Sequence, residues 1–311
     1  MVDEVSPGGR IERVWRLRGG ISMGMHAVRI VWSEGKRHTI VLRRYNPKST
    51  DMDATACRRE FRVLELLERL AFPAPRPIWL DEHGRLFGTP AMATSFVAGR
   101  ATLDSEDRDA WLTELAETLA RLHALQLAGA KASFLPSQSQ VVERMIRRGP
   151  RPVDLRLFPE SVAIWDRLRA LWKGRVAVPP VIVHDDYWAG NTLWHRGRIS
   201  AVVDWEQPAL GDPGCDVGYC RMDLALFHGA GVADEFLAKY EAAAGRRVEN
   251  LAIWDLYGAL RPLPDPAEWL PGYDDLRRGR AGLTPRLVRS RLRRWMREAT
   301  SRAFIKERRS S

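Results

Sequence analysis

Two hydrophobic periods divide this chain, and the point where one replaces the other constrains the fold more than any other feature. Residues 11–18, 26–32 and 39–44 carry alternating or β-branched apolar side chains, with Gly19-Gly20 and Ser33-Glu34-Gly35 as turns between them. That is the pattern of strands. One helical stretch follows, residues 53–70, with Asp51 or Asp53 as its cap, stopped by Pro73, Pro75 and Pro77. Residues 78–80 and 85–87 bracket His83-Gly84 as a hairpin, and residues 90–97 read as a further strand. After Gly99 the period becomes helical: Leu112, Leu115, Leu119 and Leu122 recur across residues 104–126, and residues 137–148 and 160–172 give two more helices. A short β island (181–184, 192–195, 199–203) interrupts them. Helix then resumes from Asp216, ending in one that Thr284 caps and Pro285 opens. A chain of 311 residues exceeds the usual size of one core. The expectation is an α+β protein: a β-rich N-terminal domain over residues 1–94, a connector at 95–99, and a mainly helical domain over 100–311.

Composition removes several function classes. The content is 45% hydrophobic and 28% charged, ordinary for a globular protein, and no apolar run is long enough to span a membrane. Acids and a Pro-Gly turn stand at the N-terminus where a signal peptide would be basic and then apolar, so the expected location is cytoplasmic. Cys57, Cys215 and Cys220 form neither a disulfide framework nor a zinc spacing. The net charge of +10 is concentrated: residues 276–309 hold thirteen Arg or Lys against Glu298 and Glu307. The body of the chain is close to neutral, so nucleic acid is not expected as the main partner.

The chemistry-bearing residues cluster after the apolar stretch at 181–183. In Val183-His184-Asp185-Asp186-Tyr187-Trp188-Ala189-Gly190-Asn191, Asp186 and Asn191 are five apart on a tight loop. Asp204 ends the next apolar strand, followed by Trp205-Glu206. Phosphoryl transfer needs a carboxylate that orients a hydroxyl and takes its proton, together with oxygen ligands for magnesium. In the first domain Glu60 falls on the apolar stripe of Cys57, Leu64 and Leu67. A carboxylate there needs a partner. Arg43, at the end of the 39–42 strand, is the expected one, with Arg44 as the substitute. Gly19-Gly20-Ile21-Ser22-Met23-Gly24 is either a plain hairpin turn or a loop whose backbone covers phosphates, Gly20 and Ser22 being the contact candidates.

His184-x-Asp186-x4-Asn191 followed by Asp204, and then Gly211-Asp212-Pro213-x-x-Asp216, resembles the aminoglycoside phosphotransferase family. The resemblance implies a two-lobed, protein-kinase-like fold and an enzyme using ATP or GTP with Mg2+ to phosphorylate a small-molecule alcohol. It implies Asp186 as catalytic base, Asn191 and Asp204 as magnesium ligands, and His184 and Asp216 as supports of the loop. Arg43 with Glu60 resembles the lysine–glutamate pair of kinases, with Arg in place of Lys. Residues 93–99 resemble the family's hinge, which would offer backbone groups of Ser95 and Val97 to a nucleotide base. Asp185 departs from the glycine usual in that triplet; Asp tolerates a positive φ there, and Asp185 is the alternative base. His123, in Leu122-His123-Ala124, resembles a family signature but reads on its helix face as a packing residue.

Residues 221–275 carry ten acids against five bases. They are either solvated helix faces or an acidic acceptor region that would favour an amine-bearing substrate. Asp265-Pro266-Ala267-Glu268-Trp269 is the stretch there most open to such a role. Retention of Asp186, Asn191 and Asp204 argues against the alternative of a nucleotide-binding pseudokinase.

Overall fold

The computed structural model describes residues 1–5, 7–17, 24–32, 35–45, 55–127, 132–277 and 282–308. In chain order the first elements are α1 (Val2–Val5), β1 (Arg10–Arg16), β2 (Gly24–Val31), β3 (Arg37–Arg44), α2 (Ala56–Arg69), β4 (Pro77–Asp81), β5 (Ala91–Ser95) and β6 (Arg100–Ala101). There follow α3 (Arg108–His123), α4 (Gln138–Arg148), α5 (Pro152–Leu157), α6 (Ser161–Lys173), β7 (Val181–Val183), β8 (Thr192–His195), β9 (Arg198–Val202) and β10 (Ala209–Gly211). The chain ends in α7 (Gly214–Phe227), α8 (Ala230–Ala244), α9 (Leu251–Leu260), α10 (Leu270–Arg277) and α11 (Pro285–Arg308). Two compact units result: Met1–Thr102 with Thr192–Pro208, and Leu103–Asn191 with Ala209–Ser311. An antiparallel sheet followed by a mainly helical region is a kinase-like fold.

In the first unit the sheet runs β1-β2-β3-β5-β4, every neighbouring pair antiparallel. The period-two alternation sends Val28, Ile30, Ile40, Leu42, Ala91 and Ala93 into one core cluster. Helix α2 buries Cys57, Glu60, Val63, Leu64 and Leu67, the stripe read from the sequence. It begins at Ala56 after Thr55; Asp51 and Asp53, the expected caps, lie outside the described residues. The hairpin expected at 85–87 is absent. The Asp81 carboxylate accepts from the backbone N–H groups of Arg85 (2.9 Å) and Leu86 (2.8 Å), which curls the segment into turns. The β island also divides: β8 pairs with β9 on one side and β6 on the other in the first unit, whereas β7 pairs with β10 in the second. The three-residue β10 and the two-residue β6 are too short to show alternation.

Helix α7 is the axis of the second unit: all fourteen of its residues are buried, so its sequence carries no polar stripe. It meets α9 at small residues. A Cβ on Gly218 would stand 2.5 Å from the Trp254 carbonyl oxygen, and one on Gly258 would stand 2.8 Å from the Gly218 carbonyl oxygen. The close approach of the two backbones therefore requires glycine at both positions. Helix α11 lays Val288, Leu292, Trp295, Ala299 and Ala303 inward, none more than 1% exposed. Thr284 Oγ1 accepts from the Leu287 N–H as the cap. Two of its arginines reach acids, Arg289 bonding Asp265 and Arg302 bonding Asp255. Asp255, completely buried, also takes Arg221 Nε at 3.0 Å, so one carboxylate joins α7, α9 and α11.

Gly218→Ala forces a methyl against backbone, which no side-chain rotation can relieve. It should destabilise the protein by about 1–3 kcal/mol, the usual cost of overpacking, measured as a lower urea midpoint at unchanged slope.

Candidate active site

The loop after β7 is shaped by a carboxylate outside it. Asp216, in the first turn of α7, is fully buried and accepts from the backbone N–H of His184 (Oδ2, 2.8 Å) and of Asp185 (Oδ1, 2.7 Å). The helix N-terminus favours its negative charge. His123 of α3 approaches the same carboxylate, Nε2 lying 3.1 Å from Oδ2, and its Nδ1 lies 2.7 Å from the Tyr240 hydroxyl of α8. A carboxylate oxygen accepts, so Nε2 donates to Asp216, while Nδ1 and the Tyr240 hydroxyl share the second bond. His123 is thus more than the packing residue expected of it: it is a polar strut. The signal for this was present, since a histidine on an apolar helix face must find a partner.

Asp185 sits at φ 58°, the left-handed backbone anticipated for it. Its carbonyl accepts from Arg261 Nη2 at 2.9 Å, and its carboxylate accepts from the Cys215 thiol at 3.1 Å. Burial pushes the Asp185 carboxyl up, opposed by Arg261. A carboxylate 3% exposed and committed to a thiol is ill placed to meet a substrate. Asp186 is half-buried, and Asn191 donates through Nδ2 to its Oδ2 (3.0 Å) and to its carbonyl (2.9 Å). The spacing of five is closed by a 3-10 turn over Ala189–Asn191, with the Asn191 N–H donating to the Trp188 carbonyl. Asn191 directs its amide nitrogen to Asp186.

In the first unit Arg43 of β3 gathers three carboxylates. Nη1 donates to Glu60 Oε1 at 2.9 Å, and Nη2 donates to Asp204 Oδ1 at 2.6 Å and to Glu206 Oε1. The Tyr45 hydroxyl donates to the other oxygen of Glu60. Burial works against the Arg43 charge, but Glu60, Asp204, Tyr45 and Glu206 outweigh it and hold its pKa well above the ordinary value. Burial, and then the charge of Asp204, push Glu206 up to about 7. Arg44, the substitute candidate, faces the other side of the sheet, exposed, its guanidinium 5.7 Å from the Phe87 ring. Sequence reasoning paired Arg43 with Glu60 and passed over Glu206, although a residue two beyond Asp204 in extended chain can return to the same side. Gly20 and Ser22 lie outside the described residues. The Ser95 N–H is already bonded to the Arg76 carbonyl at 2.8 Å, so of that residue's backbone only the carbonyl remains for a base; Val97 is half-buried.

Among the described residues, four of the ten acids at 221–275 are answered by arginines. Asp255 takes Arg221 and Arg302, Asp234 takes Arg221, Glu241 takes Arg247, and Asp265 takes Arg289. Asp265 also accepts from the Ala267 N–H, so the stretch singled out for acceptor binding is occupied with closing its own turn. Asp223 differs. It is buried on α7, accepts from the Tyr273 hydroxyl, and burial pushes it up to about 8. The folded chain therefore holds this proton far above the ordinary carboxylate value of 3.8. Between those values folding takes up a proton, so stability falls as pH rises through the window. Asp223→Asn should flatten that fall, giving a smaller loss of melting temperature between pH 5 and about pH 8 than the wild type shows.

The sequence model of the phosphotransferase enzyme family, APH, matches residues 20–251. Among solved structures, the GDP and kanamycin complex of APH(2")-IIia aligns with a TM-score of 0.59 at 18% identity, covering 100% of this chain and 98% of that one. The macrolide 2'-phosphotransferase MphH of Brachybacterium faecium aligns with a TM-score of 0.56 at 21% identity, covering 87% and 93%. Among curated proteins, acyl-CoA dehydrogenase family member 10 of Mus musculus is 26% identical over 194 residues, 58% of this chain but only 18% of that protein. Acyl-CoA dehydrogenase IBR3 of Arabidopsis thaliana, so named with a probable assignment, is 26% identical over 263 residues, 70% of this chain and 31% of its own length. The chain thus spans a third or less of these much longer relatives. With the family's sequence model covering well over half of its residues, the chain belongs to the APH phosphotransferase enzyme family.

Proposed function

We propose that this chain transfers the γ-phosphate of ATP or GTP to a hydroxyl group of a small molecule. The observation that carries the reading is the Asp186–Asn191 loop: an accessible carboxylate, oriented by its own asparagine and fixed from behind by Asp216. Asp186 aligns the acceptor hydroxyl and takes its proton as the oxygen bonds to the γ-phosphorus. The bond to the bridging oxygen breaks, and the diphosphate leaves. Arg43, held by Glu60, supplies fixed positive charge for nucleotide phosphates. A bidentate guanidinium suits phosphate as well as carboxylate, so Arg can stand where a kinase lysine would. The Ser95 carbonyl and the Val97 backbone are assigned to the base, and Gly20 and Ser22 to the phosphates.

The donor chemistry fits magnesium. Asn191 and Asp204 offer hard oxygen atoms, and among the described residues no group of three or more His, Cys, Asp or Glu forms a protein-only metal cage. That suits an ion completing its shell with water and phosphate. Bound there, the ion would neutralise charge developing on the transferred group. For the acceptor, amine-bearing molecules are the first class to try: structural neighbours are described with kanamycin and with macrolides. The acidic field suggested by the sequence is not the support for this, since Asp234, Glu241, Asp255 and Asp265 are paired with arginines.

Asp186→Ala should lower kcat by at least about 10²-fold while nucleotide affinity changes little, since the residue is assigned to the acceptor and not to the nucleotide. Turnover of ATP with magnesium over aminoglycosides, macrolides and amino alcohols, with nucleotide Kd measured alongside, is the check. A variant retaining wild-type turnover would remove Asp186 from the mechanism. A wild-type chain that binds nucleotide yet transfers nothing would favour the pseudokinase reading.

A further inference from the structure

We propose that Arg261 is a positioning residue for Asp186, acting through the two residues that border it: Asp185 in the loop and Tyr219 on α7. The inference rests on the reading of Asp186 given above. Arg261 caps the C-terminal end of α9, so its backbone is fixed by a helix buried on nearly every side. Its guanidinium reaches the loop and two tyrosines. Nη2 donates to the Asp185 carbonyl at 2.9 Å, Nη1 donates to the Tyr257 hydroxyl at 3.3 Å, and the cation lies 5.1 Å from the Tyr219 ring centre and 5.8 Å from that of Tyr257. Asp186 neighbours the Tyr219 hydroxyl closely enough to act on it electrostatically. One planar cation therefore holds the peptide just before the reacting carboxylate and the ring of a tyrosine beside that carboxylate.

The arrangement answers a problem that Asp185 creates. A carboxylate 3% exposed, on a left-handed backbone, would be costly with a thiol as its only polar neighbour. Cys215 gives it one weak donor, while Arg261 gives it an opposite charge. Asp216 lies on the same side and adds negative charge that favours a cation there. The loop is thereby gripped at both faces of one residue: the N–H of Asp185 by Asp216 and its C=O by Arg261. Rotation of the 185–186 peptide, which would swing Asp186 off line, must break one of these bonds. The Gly218–Gly258 crossing sets the separation of α7 and α9, and hence whether Arg261 reaches the loop at all. Nothing in the linear sequence links residue 261 to residue 186.

The test is a set of five chains: wild type, Arg261→Gln, Arg261→Lys, Asp185→Asn and the Arg261→Gln/Asp185→Asn double variant. Steady-state phosphotransfer, nucleotide Kd and urea midpoints are measured for each. Arg261→Gln should lower kcat by about 10-fold or more with nucleotide Kd within about twofold, the mark of a lost alignment and not of lost binding. Arg261→Lys, which keeps the charge but not the fork, should recover part of the rate. The double variant should lose less than the product of the single losses, in rate and in urea midpoint alike. Wild-type kcat in Arg261→Gln, or strictly multiplicative losses in the double variant, would overturn the inference. If Arg261→Gln fails to fold, the same comparison is read from Arg261→Lys alone and in combination with Asp185→Asn. If the wild type transfers no phosphate to any acceptor, the functional reading fails instead. The non-additive urea midpoint then still decides whether Arg261 acts through Asp185.

Discussion

Two backbone N–H groups donated to one buried carboxylate hold the loop on which the proposed chemistry rests. Without Asp216, the amides of His184 and Asp185 would be buried donors lacking an acceptor, each costing about 1–3 kcal/mol. With it, the left-handed turn at Asp185 is fixed, and Asp186 and Asn191 can close on each other. Much of the second unit serves this arrangement. Helix α7 places the carboxylate, α3 and α8 orient it through His123 and Tyr240, and α9 grips the loop from its other face through Arg261.

Charge in the first unit follows a comparable logic with the signs reversed. Arg43 is a cation surrounded by Glu60, Asp204 and Glu206, and its charge is held firmly because three carboxylates share it. Taking a guanidinium out of water is expensive, and only several hydrogen-bonded anions offset that cost. Such a centre is fixed before any ligand arrives, which is the property that electrostatic stabilisation of a transferring group requires.

How much of this was legible in the sequence follows from the range of each interaction. The five-residue spacing of Asp186 and Asn191 marked the loop, whereas Asp216 entered only through the resemblance of Gly211-Asp212-Pro213-x-x-Asp216 to a family motif. The Arg43–Glu60 pair was reachable by another route, since a carboxylate inside an apolar stripe must have a cation. The α11 stripe of Val288, Leu292 and Trp295 follows the helical period and is buried. Contacts between distant segments were not legible. Arg261 is seventy-six positions from Asp185 and His123 ninety-three from Asp216, and neither carries a local pattern that names its partner. Turn chemistry misled at Asp81, where a side chain took the backbone donors a hairpin would have used. The shortest strands, β6 and β10, fell below the length at which period two can be read.

Hydrogen exchange at the amides of His184 and Asp185 tests the central claim, that the Asp216 carboxylate holds the loop. In the wild type both amides should be protected, and in Asp216→Ala their protection should fall by about 10²-fold or more relative to the β7 amides beside them. Equal protection in the two proteins would contradict the account, for the loop would then owe its shape to something other than Asp216.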